Sequence, residues 1–324
     1  MKESPLFWPA KIKGNALYVL DETLLPARLH YIKVKSVKDA VRVIRQMKTR
    51  AFGQFLVVLY TFLLVLEKHS VRAIHELPLQ KKLQKTAELL NNSRPTFPFS
   101  EVTDIVLVWA QKAAKENIDL KTFLTKNIMG FLAGIRAKRL ERIQKIAEMI
   151  QDGSRVLTHC NVSGELAMAA QICKQQKKRV RFYATETRPY FQGSKLTCWE
   201  LKRAGADVTL VADNAVGSLM NRNWVDMVIV GSDRSCANGD IANKIGTYQI
   251  AVLAKEFGIP LYALTQPSTK IKKGKDIPIE IRDPNELLTF EGKKIAPKGV
   301  GGFYPAFDIV PHELIERSIA IDVH

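Results

Sequence analysis

The chain has 324 residues and a mass of 36.5 kDa, about twice a domain of ~150 residues, so two domains or one large one are expected. Hydrophobic residues at 46% and charged residues at 25% exclude a disordered or low-complexity protein for most of this length. Lysine and arginine number 49 against 32 acidic residues, and the formal net charge of +17 raises the question of nucleic acid at once.

Met1–Trp8 is not a positively charged start followed by an apolar run, so no targeting segment is expected. Residues 16–20 and 29–34 read as short strands around a turn at Leu25-Pro26. Ser36 then suits a helix N-cap, with Asp39 at the third position. Helical patterns follow at about 37–47, 52–68, 79–91, 99–116, 119–126 and 128–151. The longest apolar stretch, Phe55–Leu66, is about 12 residues, whereas a membrane span needs ~20. It reads as a buried core helix, and a cytoplasmic protein with no membrane partner is expected.

Residues 1–150 hold 26 basic and 13 acidic residues, and residues 151–324 hold 23 and 19, so the excess charge is mainly N-terminal. Its densest cluster is Arg136, Lys138, Arg139, Arg142 and Lys145. At helical spacing Leu140, Ile143, Ile146, Ala147 and Ile150 form a buried stripe, with the bases on a solvated outer face. No RNP-type aromatic motif or zinc knuckle supports RNA, so nucleic acid is not an expected partner.

The pattern changes after Asp152-Gly153. Strands at 155–159, 179–184, 207–211, 226–230 and 260–264 alternate with helices at about 163–176, 194–204, 215–221 and 243–257. Short connections and a β-α repeat predict a parallel sheet covered by helices on both faces. Residues 275–310, rich in Pro and Gly, read as loops and short strands. The expected architecture is α/β: a small N-terminal strand-plus-helical-bundle domain over 1–150, then a Rossmann-like parallel-sheet domain over 151–324.

Such sheets bind ligands at the carboxyl ends of their strands. Those turns read Cys160-Asn161-Val162-Ser163-Gly164, Thr185-Glu186-Thr187-Arg188-Pro189, Asp213-Asn214 and Gly231-Ser232-Asp233. No GxGxxG or GxxxxGK[ST] occurs at them, so neither a standard dinucleotide site nor a Walker-type site is supported. The four cysteines, Cys160, Cys173, Cys198 and Cys236, form no CxxC pair and no zinc-like spacing.

Four segments carry a resemblance. They are Thr158-His159-Cys160-Asn161, Glu186-Thr187-Arg188-Pro189-Tyr190-Phe191-Gln192-Gly193, Gly231-Ser232-Asp233-Arg234 and the run from Asn238 to Thr247, NGDIANKIGT. In that order they resemble the methylthioribose-1-phosphate isomerase family, which is related to ribose-1,5-bisphosphate isomerases and to the alpha, beta and delta subunits of translation initiation factor 2B. Arg94-Pro95-Thr96 and Pro305-Ala306-Phe307-Asp308 also match. The resemblance runs from about Leu17 to Ile315. It implies a Rossmann-like domain behind a small N-terminal one, a homodimer, and aldose–ketose isomerisation of a sugar 1-phosphate in methionine salvage, with no cofactor and no metal. It further implies Cys160 and Asp233 as catalytic residues, and Arg50, Arg94, Gln192, Asn243 and Lys244 as substrate contacts. The alternatives are ribose-1,5-bisphosphate isomerisation and a non-catalytic, initiation-factor-like sugar-phosphate-binding role.

These residue types suit the chemistry. In a furanose 1-phosphate the anomeric oxygen is blocked, so an acid must protonate the ring oxygen before the ring opens. Asp233 follows the apolar strand Met227–Val230, which suits a carboxyl held neutral. Cys160 precedes a predicted helix N-terminus, which favours a thiolate and a nearby phosphate. Arg94 and Lys244 add fixed positive charge.

Other residues receive plainer readings. Cys173, Cys198 and Cys236 are expected to be structural, as is His159. Gly231, Gly239 and Gly246 are expected to serve backbone geometry. Asp240 either meets substrate hydroxyls or caps the helix at Asn243. Glu186 and Arg188 either pair with each other or contact substrate. Three departures from the family pattern bear on the substrate more than on the reaction. Arg50-Ala51-Phe52-Gly53 stands for the usual Arg-Gly-Ala-Pro, Ser232 replaces an alanine, and the chain stops at His324 where family members usually continue.

Overall fold

The computed structural model describes residues 2–68, 77–95, 97–266 and 270–321. The chain divides into two compact units, Pro5–Ala137 and Met1–Ser4 with Lys138–His324. In the first, β1 (Ala10–Lys13), β2 (Ala16–Leu20) and β3 (Tyr31–Val34) form an antiparallel meander. Four helices follow: α1 (Val37–Arg45), α2 (Ala51–Glu67), α3 (Leu77–Asn91) and α4 (Phe99–Lys115). Ser36 caps α1 as the sequence predicts, its hydroxyl accepting the Asp39 N–H at 3.1 Å.

Helix α2 is the core of this unit. Thirteen of its residues, from Gly53 to Leu66, are buried, so it is covered on nearly every side. That is the physical reason for its unbroken apolar run. Among the described residues no helix is long and apolar enough to cross a membrane.

Helix α5 (Leu120–Met149) is continuous over 30 residues where the sequence suggests two helices, and the division between the units falls within it. Asn127, at the expected break, turns its side-chain amide onto the Phe123 carbonyl at 2.7 Å and the helix runs on. The basic cluster on α5 is only partly a solvated face: Lys145 is exposed, but two of the arginines are not. Arg139 is 2% and Arg142 5% exposed, both held by Glu165, while Leu140 is exposed. Arg136 lies over the Phe7 and Trp8 rings.

The second unit carries β4 (Arg155–Thr158), α6 (Glu165–Gln175), β5 (Arg181–Thr185), α7 (Cys198–Arg203), β6 (Asp207–Val211), α8 (Val216–Asn221) and β7 (Met227–Gly231). Then come β8 (Arg234–Ser235), β9 (Ile241–Lys244), α9 (Thr247–Glu256), β10 (Leu261–Thr265), α10 (Asn285–Leu288), β11 (Thr289–Phe290), β12 (Lys293–Lys294), β13 (Phe307–Val310) and β14 (Arg317–Ala320). Six strands form an all-parallel sheet in the order β14-β10-β7-β4-β5-β6. Counted along this sheet, the order is that of a Rossmann-like fold, with its switch point between β4 and β7.

Strands β1, β8, β9 and β14 depart from the sequence expectation. Edge strand β14 buries only Ile319, too thin an apolar signal to read. Residues Asn243 and Lys244 lie on β9, not at a helix start. Strands β8, β9 and β13 make a second, antiparallel sheet. Helix α9 begins only after Gly246, whose φ of +100° ends the strand.

Candidate active site

The crevice at the switch point is where the topology leaves room for a ligand. Strands β4 and β7 pair in parallel, with Val156 opposite Met227 and Leu157 opposite Val228. Cys160 stands two residues beyond the end of β4, and Asp233 two residues beyond the end of β7. The two candidate catalytic residues therefore leave the sheet from adjacent central strands; by this register Cys160 falls level with Gly231, and Asp233 lies two residues further on.

Cys160 is 7% exposed and adopts φ +63°, a conformation a non-glycine residue takes only when its surroundings hold it there. Two threonine hydroxyls supply that hold. The Cys160 N–H donates to Thr187 Oγ1 at 3.0 Å, and its carbonyl accepts from Thr197 Oγ1. Thr187 also has positive φ, and Asp213 fixes its turn by accepting the Thr187 and Arg188 N–H groups, each at 2.7 Å. Thr197 ends a wide helical turn, Gly193–Thr197, that feeds α7. Gly193 is obligatory there, since a Cβ would sit 1.7 Å from the Thr185 carbonyl oxygen. The next residue, Asn161, accepts the Ser163 N–H and donates to buried Glu200. Neither threonine stands out in the sequence as a functional group. Their roles come from a turn geometry that no spacing rule reports.

Asp233 is half-buried, and its N–H donates to the Ala242 carbonyl at 2.9 Å. That bond docks the β7 turn against β9 and brings Asn243 close. A Cβ on Gly231 would meet Val162 at 3.5 Å and Asn243 Oδ1 at 3.8 Å, so the Asn243 amide lies against the end of β7. Its other end donates to Thr247 Oγ1. Lys244 is 9% exposed, with its ammonium 5.0 Å from the centre of the Phe307 ring. Ser232 braces the turn through the Arg234 carbonyl and Ser235. Gln192 is buried, and its Oε1 has no hydrogen-bond partner among the described residues.

Arg50 and Arg94 belong to the other unit. Arg50 precedes α2 as its N-cap residue and pairs through Nε with Glu22 at 2.7 Å. Arg94 donates to Gln54, in the first turn of the same helix, at 3.1 Å. Two guanidinium groups thus stand at one helix N-terminus, a combination suited to an anion. Phe52, the bulky departure, meets Trp8 edge-on and stacks against Phe55. Thr96 lies outside the described residues.

His159 is buried, with Nδ1 2.6 Å from Thr185 Oγ1 and Nε2 2.8 Å from the Ile245 carbonyl. Burial lowers its pKa, against the pull of that carbonyl. Both nitrogens are occupied, in keeping with a structural residue. Asp240 does not cap α9. One of its oxygens accepts the Gly274 N–H, and the other accepts the His312 N–H and faces His312 Nδ1. Asp308 caps α9 instead, accepting from Gly246 and Tyr248. Arg188 is not paired with Glu186; it donates to the Leu287 carbonyl and lies over Phe191 and Phe290. Asp240, His312 and Glu313 place ligand atoms within 4.8 Å of one another, the one group of this kind among the described residues, but Asp240 is already committed to hydrogen bonds.

Comparison with known proteins places this geometry in a family. Residues 54–320 match the model of the initiation factor 2 subunit family. Methylthioribose-1-phosphate isomerase of Desulforudis audaxviator is 39% identical, covering 98% of this chain and 93% of its own. The 5-deoxyribose 1-phosphate isomerase of Moorella thermoacetica is 36% identical, covering 98% and 92%. The crystal structure of 5-methylthioribose 1-phosphate isomerase from Pyrococcus horikoshii OT3 superimposes with a TM-score of 0.85 at 30% identity, covering 98% and 93%. The chain therefore belongs to the initiation factor 2 subunit family, and within it to the methylthioribose-1-phosphate isomerases.

Proposed function

We propose that this isomerase converts a pentose 1-phosphate altered at C5 into the corresponding ketose 1-phosphate. The first candidate is 5-methylthioribose 1-phosphate, with methionine salvage as the setting. The carrying observation is that Cys160 and Asp233 each follow the end of one of the two paired strands that flank the switch point. In this reading Asp233 delivers a proton to the ring oxygen, which becomes the C4 hydroxyl as the C1–O bond of the ring breaks, and the C2 hydroxyl gives a proton back as C2 becomes the ketone carbonyl. Cys160 assists the transfer of hydrogen from C2 to C1. The conversion is internally balanced, since C1 is reduced as C2 is oxidised, so it needs no external oxidant or reductant. Asn243 and Gln192 suit the sugar hydroxyls, and Arg50, Arg94 and Lys244 suit the phosphate. A homodimer completes the proposal.

The test is ketose formation by the purified protein from 5-methylthioribose 1-phosphate. Cys160→Ser and Asp233→Asn should each lower kcat at least ~10³-fold with little change in Tm. Turnover equal to that of the unmodified protein would remove the assigned roles. The relative that acts on 5-deoxyribose 1-phosphate favours that sugar as the second substrate to assay. A larger kcat/KM for it would move the preferred substituent from methylthio to hydrogen.

A further inference from the structure

Most buried polar side chains in the sheet-bearing unit meet a partner. Tyr304 does not. Its side chain is 3% exposed, and its hydroxyl has no hydrogen-bond partner among the described residues. A buried hydroxyl left unpaired costs about 1–3 kcal/mol, so such a group invites a ligand or a water.

The backbone gives the ring little freedom. The Tyr304 carbonyl accepts the Arg282 N–H at 2.9 Å, Pro305 bridges to Ile281, and Ala306 accepts from Ile245. Three residues on, β13 begins its pairing with β9, placing Phe307 opposite Lys244 and Asp308 opposite Asn243. Tyr304 is thus fixed at the end of the strand pair that carries two of the candidate substrate contacts.

Its electrostatic neighbours are known. Burial, reinforced by the nearby Tyr190 and Glu286, pushes the phenol's pKa up, and Cys160 acts in the same direction. Near neutral pH the group is therefore an un-ionised donor. The Tyr190 side is already satisfied, because Arg282 donates to Tyr190, Glu280 and Glu286. Cys160 lies among the remaining neighbours. The Tyr304 hydroxyl is a donor without an acceptor, and a sugar hydroxyl oxygen can accept it.

We propose that Tyr304 is a substrate-positioning residue whose hydroxyl donates a hydrogen bond to a hydroxyl oxygen of the bound pentose 1-phosphate, holding the sugar against Cys160. This rests on the isomerase reading above. The test uses Tyr304→Phe, which removes one oxygen and leaves the ring in place. In a Cys160→Ser background, where substrate binds without turnover, calorimetry should show roughly tenfold weaker binding of 5-methylthioribose 1-phosphate when Tyr304→Phe is added. The affinity for inorganic phosphate should stay within about twofold, since the lost bond is to the sugar. Unchanged sugar-phosphate affinity would mean that a water satisfies the hydroxyl, and an equal loss for both ligands would mean a general disturbance; either result overturns the proposal. Turnover by the otherwise unmodified enzyme is scored separately. If it converts no pentose 1-phosphate, the isomerase reading fails; if it does and Tyr304→Phe binds normally, only the role of Tyr304 fails.

Discussion

At the residue scale the site depends on how a cysteine is held. Cys160 occupies a backbone conformation that ordinarily favours glycine, and two threonine hydroxyls stabilise it from opposite sides. Losing one such bond costs about 1 kcal/mol of stability, but a shift of about 1 Å in a reacting group can cost ~10²-fold in rate. Thr197→Val, which keeps the shape and removes the hydroxyl, should therefore lower kcat about 10- to 100-fold while Tm changes little. Thr197→Ser, which restores the hydroxyl, should recover most of it. Steady-state kinetics and a thermal melt on the two variants decide the matter; wild-type kcat in Thr197→Val would show that the sulfur is positioned by other means.

At the element scale, α5 and α6 meet through charge. Glu165, in the first turn of α6, receives Arg139 and Arg142 from α5, and all three side chains are buried. Burial alone would raise the Glu165 pKa, but Arg142 and Arg139 outweigh it and hold the carboxyl below its ordinary range. Glu165→Gln leaves two buried guanidinium groups without their anion and should cost about 3–5 kcal/mol in denaturant unfolding. The sign with pH follows from the lowered value. The stabilisation is present above the ordinary glutamate range and is lost as the pH falls through the depressed folded-state pKa. An acid titration of stability should show that loss in the wild-type protein and not in Glu165→Gln.

This cluster also marks where sequence reading stops. Four of the five strands of the β-α repeat were legible because parallel strands buried on both faces are short continuous apolar runs; β6, an edge strand exposed at most positions, was legible by its place in the repeat. Arginine at helical spacing reads as solvent-facing, because its partner, 23 to 26 residues away, is invisible to a local pattern. Strand β9 was hidden for a similar reason. Asn243 and Lys244 belong to it only because β8 and β13, distant or very short, pair on either side. The candidate catalytic residues were legible through motif order; the threonines and Tyr304 were not, since their parts are set by packing.

At the scale of the whole molecule, the net charge of +17 changes meaning. Part of the α5 cluster is internal, neutralised by Glu165, and does not contribute a surface for nucleic acid. What remains favours the approach of small anions and is screened over ~10 Å at 0.1 M salt. Raising ionic strength from about 20 mM to about 300 mM should raise KM for the sugar phosphate several-fold with kcat nearly constant. A salt-insensitive KM would show that only the fixed contacts within the site matter.

The order of the parallel sheet also has a consequence for how the protein is made. Its edge strand β14 is the last of the six to be synthesised, yet the Ile319 carbonyl in that strand accepts from Arg142, 177 residues earlier. The Thr265 carbonyl at the end of β10 accepts from the same guanidinium. While the nascent chain emerges, Arg142 therefore waits for acceptors that do not yet exist. The sheet closes only after translation has passed residue 320, so a ribosome stalled before Arg317 would hold a domain with one arginine donor still seeking its last partner.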